Sequence, residues 1–122
     1  MPDKKKVTCK YTRVDYKCDR ILFDDEHCIF HSTDIEGKRD KFTVAFWKEF
    51  ERQKRDEEEY YFKGFVFPGK ISFEKVEFEK YAILFIESKF HGKADFGGAR
   101  FFGYADFRGS QFFHQANFNV TH

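Results

Sequence analysis

Four residues in the first third of the chain carry side chains that bind soft metal ions: Cys9, Cys18, Cys28 and His31, spaced C-x8-C-x9-C-x2-H. Three thiolates and an imidazole are a common tetrahedral ligand set for structural zinc. Only the Cys28–His31 gap is short enough for one tight turn to aim both side chains at a single ion; the longer gaps are not diagnostic. His27 is an alternative to His31, and Asp19 a weaker oxygen donor. Two other readings stay open. Three reduced thiols could simply fill buried space, or Cys28 and His31 could form a nucleophilic pair, although no third group is in evidence to orient the base. Three cysteines, an odd number, argue against a closed disulfide framework and for a reducing cytoplasm.

The segment holding these ligands, residues 1–33, has few apolar side chains. If it folds, bound metal is the expected cause. Residues 34–59 follow as a helical element. Phe42, Phe46 and Phe50 recur at i+4 with Ala45 beside them among charged positions, the pattern of an amphipathic helix with one narrow aromatic stripe. Thr33 and Glu36 have capping-box spacing, weakened by Gly37.

Residues 60–122 are dominated by a repeat. Large apolar residues fall at Phe62, Phe67, Phe73, Phe78, Leu84, Phe90, Phe96, Phe101, Phe107, Phe112 and Phe118, with Phe85 a rival to Leu84 for the register. Two residues before each of them, from Phe67 on, stands Phe65, Ile71, Val76, Ala82, Ser88, Ala94, Ala99, Ala105, Ser110 or Ala116, mostly small. Glycine often stands two residues after. In extended chain the small residue and the Phe share one side, and the polar residue between them faces the other. Each unit is then a short strand plus a corner, and repetition winds the chain into a solenoid. With four units per turn the interior columns read Phe62/Leu84/Phe107, Phe67/Phe90/Phe112, Phe73/Phe96/Phe118 and Phe78/Phe101.

Ala94-Asp95-Phe96, Ala105-Asp106-Phe107 and Ala116-Asn117-Phe118 resemble the unit of the pentapeptide-repeat family: Ala, Asp or Asn, Leu or Phe, then two variable residues. The spacing departs from that family by alternating five and six residues. The order of Cys/His head, helix and Phe-rich units is similar to that of bacterial members. The resemblance implies a mainly β fold, a right-handed quadrilateral β-helix, here preceded by a zinc-stabilised head and a capping helix.

Composition bounds the function. The net charge of +1 divides into +4 over residues 1–20, −5 over 21–59 and +2 over 60–122, so no segment presents one sign. Some relatives in the family imitate DNA through a strongly acidic surface, and the +2 of the repeat argues against that role. The longest apolar run, Tyr81–Ile86, is far short of the ~20 residues a membrane helix needs. The start "MPDKKKVTCK" shows no secretory signal. No nucleotide, hydrolase or metalloprotease fingerprint is present, and His91 and His114 occupy outward positions with no cleft to gather them.

The expected function is a non-catalytic, cytoplasmic protein-interaction or scaffold module whose protein partner is not named by the sequence. Phe102, Tyr104 and Phe113 point outward, Phe102 and Phe113 on opposite sides. The alternative is nucleic-acid binding by the head through Lys4, Lys5, Lys6, Lys10, Arg13, Lys17 and Arg20 interleaved with Tyr11 and Tyr16. The carboxy-terminal turn has no evident cap, so a homodimer through that end, or a longer natural chain, is expected to cover it.

Overall fold

The computed structural model describes residues 7–119. The head carries a short antiparallel ribbon, β1 (Thr12–Arg13) and β2 (Tyr16–Lys17), with a bridge between Thr8 and Ile21. One helix follows, α1 (Ile35–Asp56). Eleven strands complete the chain: β3 (Tyr60–Tyr61), β4 (Val66–Phe67), β5 (Ile71–Ser72), β6 (Glu77–Phe78), β7 (Ala82–Leu84), β8 (Lys89–Phe90), β9 (Ala94–Asp95), β10 (Arg100–Phe101), β11 (Tyr104–Asp106), β12 (Gln111–Phe112) and β13 (Ala116–Asn117).

None of these eleven pairs with its sequence neighbour. They stack in parallel as β3–β7–β11, β4–β8–β12, β5–β9–β13 and β6–β10. Four stacks make four faces, and each turn of the chain lays one strand on each face. The phenylalanines point inward and superpose: Phe67 on Phe90 at 4.5 Å, Phe90 on Phe112 at 4.7 Å, Phe73 on Phe96 at 4.7 Å and Phe78 on Phe101 at 4.9 Å between centroids. Those separations match the ~4.8 Å between paired strands, so backbone hydrogen bonding and ring stacking share one repeat distance.

The alternation of five and six residues has a structural cause. After Phe62, Phe73, Phe85, Phe96 and Phe107 the carbonyl accepts a hydrogen bond from the N–H three residues on. The residue two after each ring, namely Gly64, Lys75, Glu87, Gly98 or Gly109, has φ between 59° and 71°. This is the positive φ of a type II turn, which favours glycine. These tight corners carry the five-residue steps, and wider corners carry the six-residue steps.

One wide corner is longer still, and it corrects the expected register. From Phe78 to the next interior ring there are seven residues, and that ring is Phe85 rather than Leu84. Because side chains alternate, one added residue flips every following position to the other face until the next turn resets it. Phe85 is therefore fully buried and stacks on Phe107 at 4.9 Å, while Leu84 is only half-buried. Ile83 takes the inward place two residues earlier that Ala82 was expected to hold; both are buried.

Glycines at two wide corners permit close approach between coils. A Cβ on Gly103 would lie on the Tyr81 carbonyl oxygen, whereas one on Gly69 would meet nothing within 4 Å. Gly103→Ala is expected to cost about 1–3 kcal/mol or more through forced backbone movement. Gly69→Ala is expected to be neutral or slightly stabilising. Urea unfolding of the two variants tests the difference, and equal effects would contradict the coil contact.

Helix α1 closes the solenoid at its first turn. Asp34, not Thr33, is the N-cap: its carboxylate accepts from the Gly37 N–H at 3.0 Å, and a Cβ on Gly37 would collide with that carboxylate. The glycine therefore makes room for the cap instead of weakening it. Phe42, Phe46 and Phe50 are buried as the stripe predicts, Phe46 against Phe62 (5.0 Å), Phe67 (5.2 Å) and Phe73 (5.7 Å). Lys38 and Gln53 extend the stripe at both ends and are also buried. The Gln53 amide receives the Tyr61 N–H on Oε1 and donates from Nε2 to the Tyr61 carbonyl, at 2.6 and 3.1 Å. It supplies both hydrogen bonds a neighbouring strand would give, so the open edge of β3 is covered.

Candidate metal centre

The head folds back so that the Sγ atoms of Cys9, Cys18 and Cys28 and a ring nitrogen of His31 all lie within 4.8 Å of one another, with all four residues buried. Cys18 and Cys28 Sγ are 3.9 Å apart; His31 Nδ1 is 3.3 Å from Cys28 Sγ and 3.5 Å from Cys9 Sγ. A tetrahedral site with metal–sulfur bonds of about 2.3 Å has edges of about 3.8 Å. These four donors can hold a metal ion. His27 and Asp19 lie outside the group.

The His31 ring is oriented by its other nitrogen. Nε2 lies 2.9 Å from the Lys63 carbonyl oxygen, which can only accept, so Nε2 carries the hydrogen and Nδ1 turns its lone pair to the thiols. This is the arrangement by which metal-ligating histidines are fixed in ring plane and tautomer. The ring is stacked on Tyr11 at 4.0 Å and meets Phe65 edge-on at 5.6 Å.

The thiols differ electrostatically. A hydrogen bond from Cys28 draws the Cys18 thiol well below its ordinary value, helped by Arg20. Cys28, as the donor in that bond and buried beside it, is pushed up. Burial raises Cys9 as well. Arg20 reaches Cys18 Sγ at 3.4 Å and pairs with Glu49 Oε2 at 2.9 Å. Burial alone would raise the Glu49 carboxyl, but hydrogen bonds from Arg52, Gln53 and Arg20 outweigh it and hold it at about 2. A continuous polar path thus runs from the thiols through Arg20 and Glu49 to Gln53 at the strand edge.

Two further contacts tie the ligand loop down. The Phe30 carbonyl accepts from the Val66 N–H at 2.7 Å, and the Ile29 carbonyl from Lys38 Nζ at 2.9 Å. Burial pulls the Lys38 amine down to about 7, against the opposing charges of Cys28, Asp24 and Asp34. From about 7 up to the ordinary value of 10.5 the unfolded chain holds a proton here that the folded chain has released. Stability from this group therefore rises with pH through that window and is flat below it. Lys38→Met is expected to remove that slope, so the stability of the variant relative to wild type is highest at or below pH ~7 and falls as the pH rises through the alkaline window. Paired urea titrations over pH check this, and a pH-independent difference would contradict it.

Tyr11 and Arg13 grip the solenoid one coil further down. Tyr11 Oη donates to Glu87 Oε2 at 3.0 Å, and Arg13 Nε pairs with the same oxygen at 2.7 Å. Glu87 occupies a left-handed position (φ 60°) for which the neighbouring coils use Gly64 and Gly109. The clamp explains why a strained non-glycine residue is kept there.

Several residues expected to contact nucleic acid are thereby engaged internally: Arg13 with Glu87, Arg20 with Glu49, and Tyr11 under His31. Lys10 and Lys17 remain exposed, and Lys4, Lys5 and Lys6 lie outside the described residues. The spacing did not reveal Lys38, Gln53 and Arg20 as structural partners. All three are charged or polar residues in a charge-rich context, and only the i+4 phase of Lys38 with Phe42 pointed to the buried side.

Together the features define a class: a four-faced parallel β-solenoid capped by a helix and a Cys3His head. Comparison with known families matches residues 62–122 to pentapeptide repeats (9 copies). This is half of the chain, and the protein belongs to that family. Neither the curated proteins nor the solved structures contain a match. Among the described residues, no helix is long and apolar enough to cross a membrane.

Proposed function

We propose that this protein is a non-catalytic interaction scaffold of the reducing cytoplasm, its right-handed coil capped by a structural zinc ion on Cys9, Cys18, Cys28 and His31. The donor chemistry supports zinc: thiolates with imidazole favour it, and all four positions are protein ligands, as in structural sites. Zinc here would supply folding free energy rather than chemistry. The observation that carries the interaction role is an aromatic ridge at the corner between β6 and β7 and between β10 and β11. Tyr81, Phe102 and Tyr104 are 70%, 59% and 50% exposed there, and the two tyrosine rings meet edge-on at 5.3 Å. Of the flanking charges, Arg100 pairs with Glu77 and Arg108 with Asp106, while Glu79 and Lys80 beside Tyr81 form no ion pair among the described residues. An aromatic ridge of this kind, flanked by one charge of each sign, suits a protein surface with apolar anchors. Phe118 is 41% exposed at the last coil, which supports self-association through that end as part of the same proposal.

A photo-crosslinking side chain placed at position 102 is expected to capture a discrete protein that the same group at position 72, on another face, does not. Identical capture from both positions would sink the ridge as the binding surface. Sedimentation of wild type beside Phe118→Ser checks self-association.

A further inference from the structure

The corner diagonally opposite the aromatic ridge has a different character. It comprises residues 68–70, 91–93 and 113–115 from three successive coils. Among the described residues, each of the other three corners carries a glutamate: Glu87, Glu74 or Glu79. This one carries none. Lys70 and Lys93 sit one above the other, their coils joined by the Ile71 N–H to Lys93 carbonyl bond of 2.9 Å. Gly92 lets the coils nest, since a Cβ there would lie 2.3 Å from the Gly69 carbonyl carbon. Lys89 flanks the corner, and His114 lies on the coil below. None of these four forms an ion pair or side-chain hydrogen bond within the described residues. The nearest acid in sequence, Asp95, accepts from the Gly97 N–H and the Asn117 amide on Oδ1 and forms no ion pair with the corner lysines. In the middle, His91 is stacked on Phe113 at 4.6 Å with planes 16° apart, and Phe113 is 52% exposed. His91 is drawn below its usual value first by burial and then by the positive charges of Lys89, Lys38 and His114, as expected inside an uncompensated cationic patch.

We propose that this corner, through Lys70, Lys89, Lys93, His114 and the His91–Phe113 stack, is a docking site for single-stranded nucleic acid. The charge complementarity is to a polyanion. The exposed flat ring among the cations selects among polyanions, because every nucleotide of a single strand brings an unpaired base that stacks on an aromatic face, whereas acidic side chains carry no flat ring. A convex corner has no element that could enter a duplex groove, which leaves the single strand as the fitting form. The site is separate from the metal head and from the opposite ridge, so it stands independently of both.

The test is fluorescence anisotropy of a labelled oligothymidylate with the full chain over a salt series. Wild type is expected to bind at low salt with a log–log salt slope of about −2, from three lysines at ~0.7 each. Lys70→Gln/Lys93→Gln is expected to bring that slope close to −0.7, and Lys70→Glu/Lys93→Glu to abolish binding. Phe113→Ala is expected to weaken binding about 5- to 150-fold. These positions are exposed, and circular dichroism confirms folding of each variant. Several results would overturn the proposal: no binding at low salt, binding unchanged in both lysine pairs, or duplex bound as tightly as single strand. So would polyglutamate binding equally well with Phe113→Ala silent, since this would make the corner a surface for acidic proteins.

Discussion

Phe85→Ala is expected to be among the most damaging single truncations in the solenoid, costing about 3–5 kcal/mol. The Phe85 ring lies where the coils meet and contacts Phe62, Phe67, Phe73, Phe90, Phe96 and Phe107, with centroids 4.9–6.2 Å away. Four of those neighbours are stacked in columns, Phe67 on Phe90 and Phe73 on Phe96, so they cannot collapse into the vacancy without breaking the columns. Against a total stability of roughly 5–15 kcal/mol, the loss approaches the whole for a marginal protein. A fall in melting temperature of about 10 °C or more is expected. Leu84→Ala removes a side chain of similar size from the adjacent residue but is expected to cost about 1 kcal/mol, because that side chain is half-buried on the outer surface. The contrast between neighbours is the informative quantity. Thermal unfolding of both variants reads it directly, and a reversed order would mean that the coil runs in the other register.

Removal of the proposed metal ion is expected to unfold the head and loosen the first coil while the later coils persist. Of the buried apolar residues before α1, three are Cys9, Cys18 and Cys28 themselves; Tyr11 and Phe30 are the others. Without an ion to bind the thiolates together, that set is too small a core. Structural zinc in comparable small sites contributes about 10–16 kcal/mol of apparent folding free energy at neutral pH. The local readout is amide hydrogen exchange at Val66, whose N–H is bonded to the Phe30 carbonyl between the ligands Cys28 and His31. Chelation, or Cys28→Ser, is expected to accelerate exchange there by orders of magnitude and to leave Phe96, bonded to Asn117 in the last described turn, much less affected. Metal quantification on protein purified without added zinc should give one ion per chain. Chelated protein with unchanged exchange at Val66 would mean that the thiols are ordinary core.

The solenoid was legible because its rule is strict. A large ring at every unit and a small residue two places earlier leave few other ways to bury so much phenylalanine. The columns through Phe67, Phe73 and Phe78 follow from spacing alone. The register slipped only at Leu84/Phe85, where two adjacent bulky residues made period counting ambiguous and the length of the preceding corner decided. The distinction between tight and wide corners was written in the five-six alternation, although Lys75 and Glu87 hid it by standing where glycine was expected. The proximity of Cys9, Cys18, Cys28 and His31 was suggested by residue type. What could not be read was how the head attaches. Arg20–Glu49, Gln53–Tyr61 and Lys38–Ile29 join different elements through side chains that usually face water, and apart from the i+4 phase of Lys38 with Phe42 nothing in their local sequence marks them as buried.

The capped edge of β3 has a consequence for how such a chain can change. Gln53, His31 and Phe30 satisfy backbone groups of the first coil only, and every later coil rests on the one before it through the same hydrogen bonds. Duplicating one full circuit of about 22 residues within the lower coils would therefore lengthen the rod by ~4.8 Å without asking anything new of the amino-terminal assembly. Size becomes an inheritable quantity that varies in whole increments, and the distance between groups displayed on the outside can be reset by copying rather than by redesign.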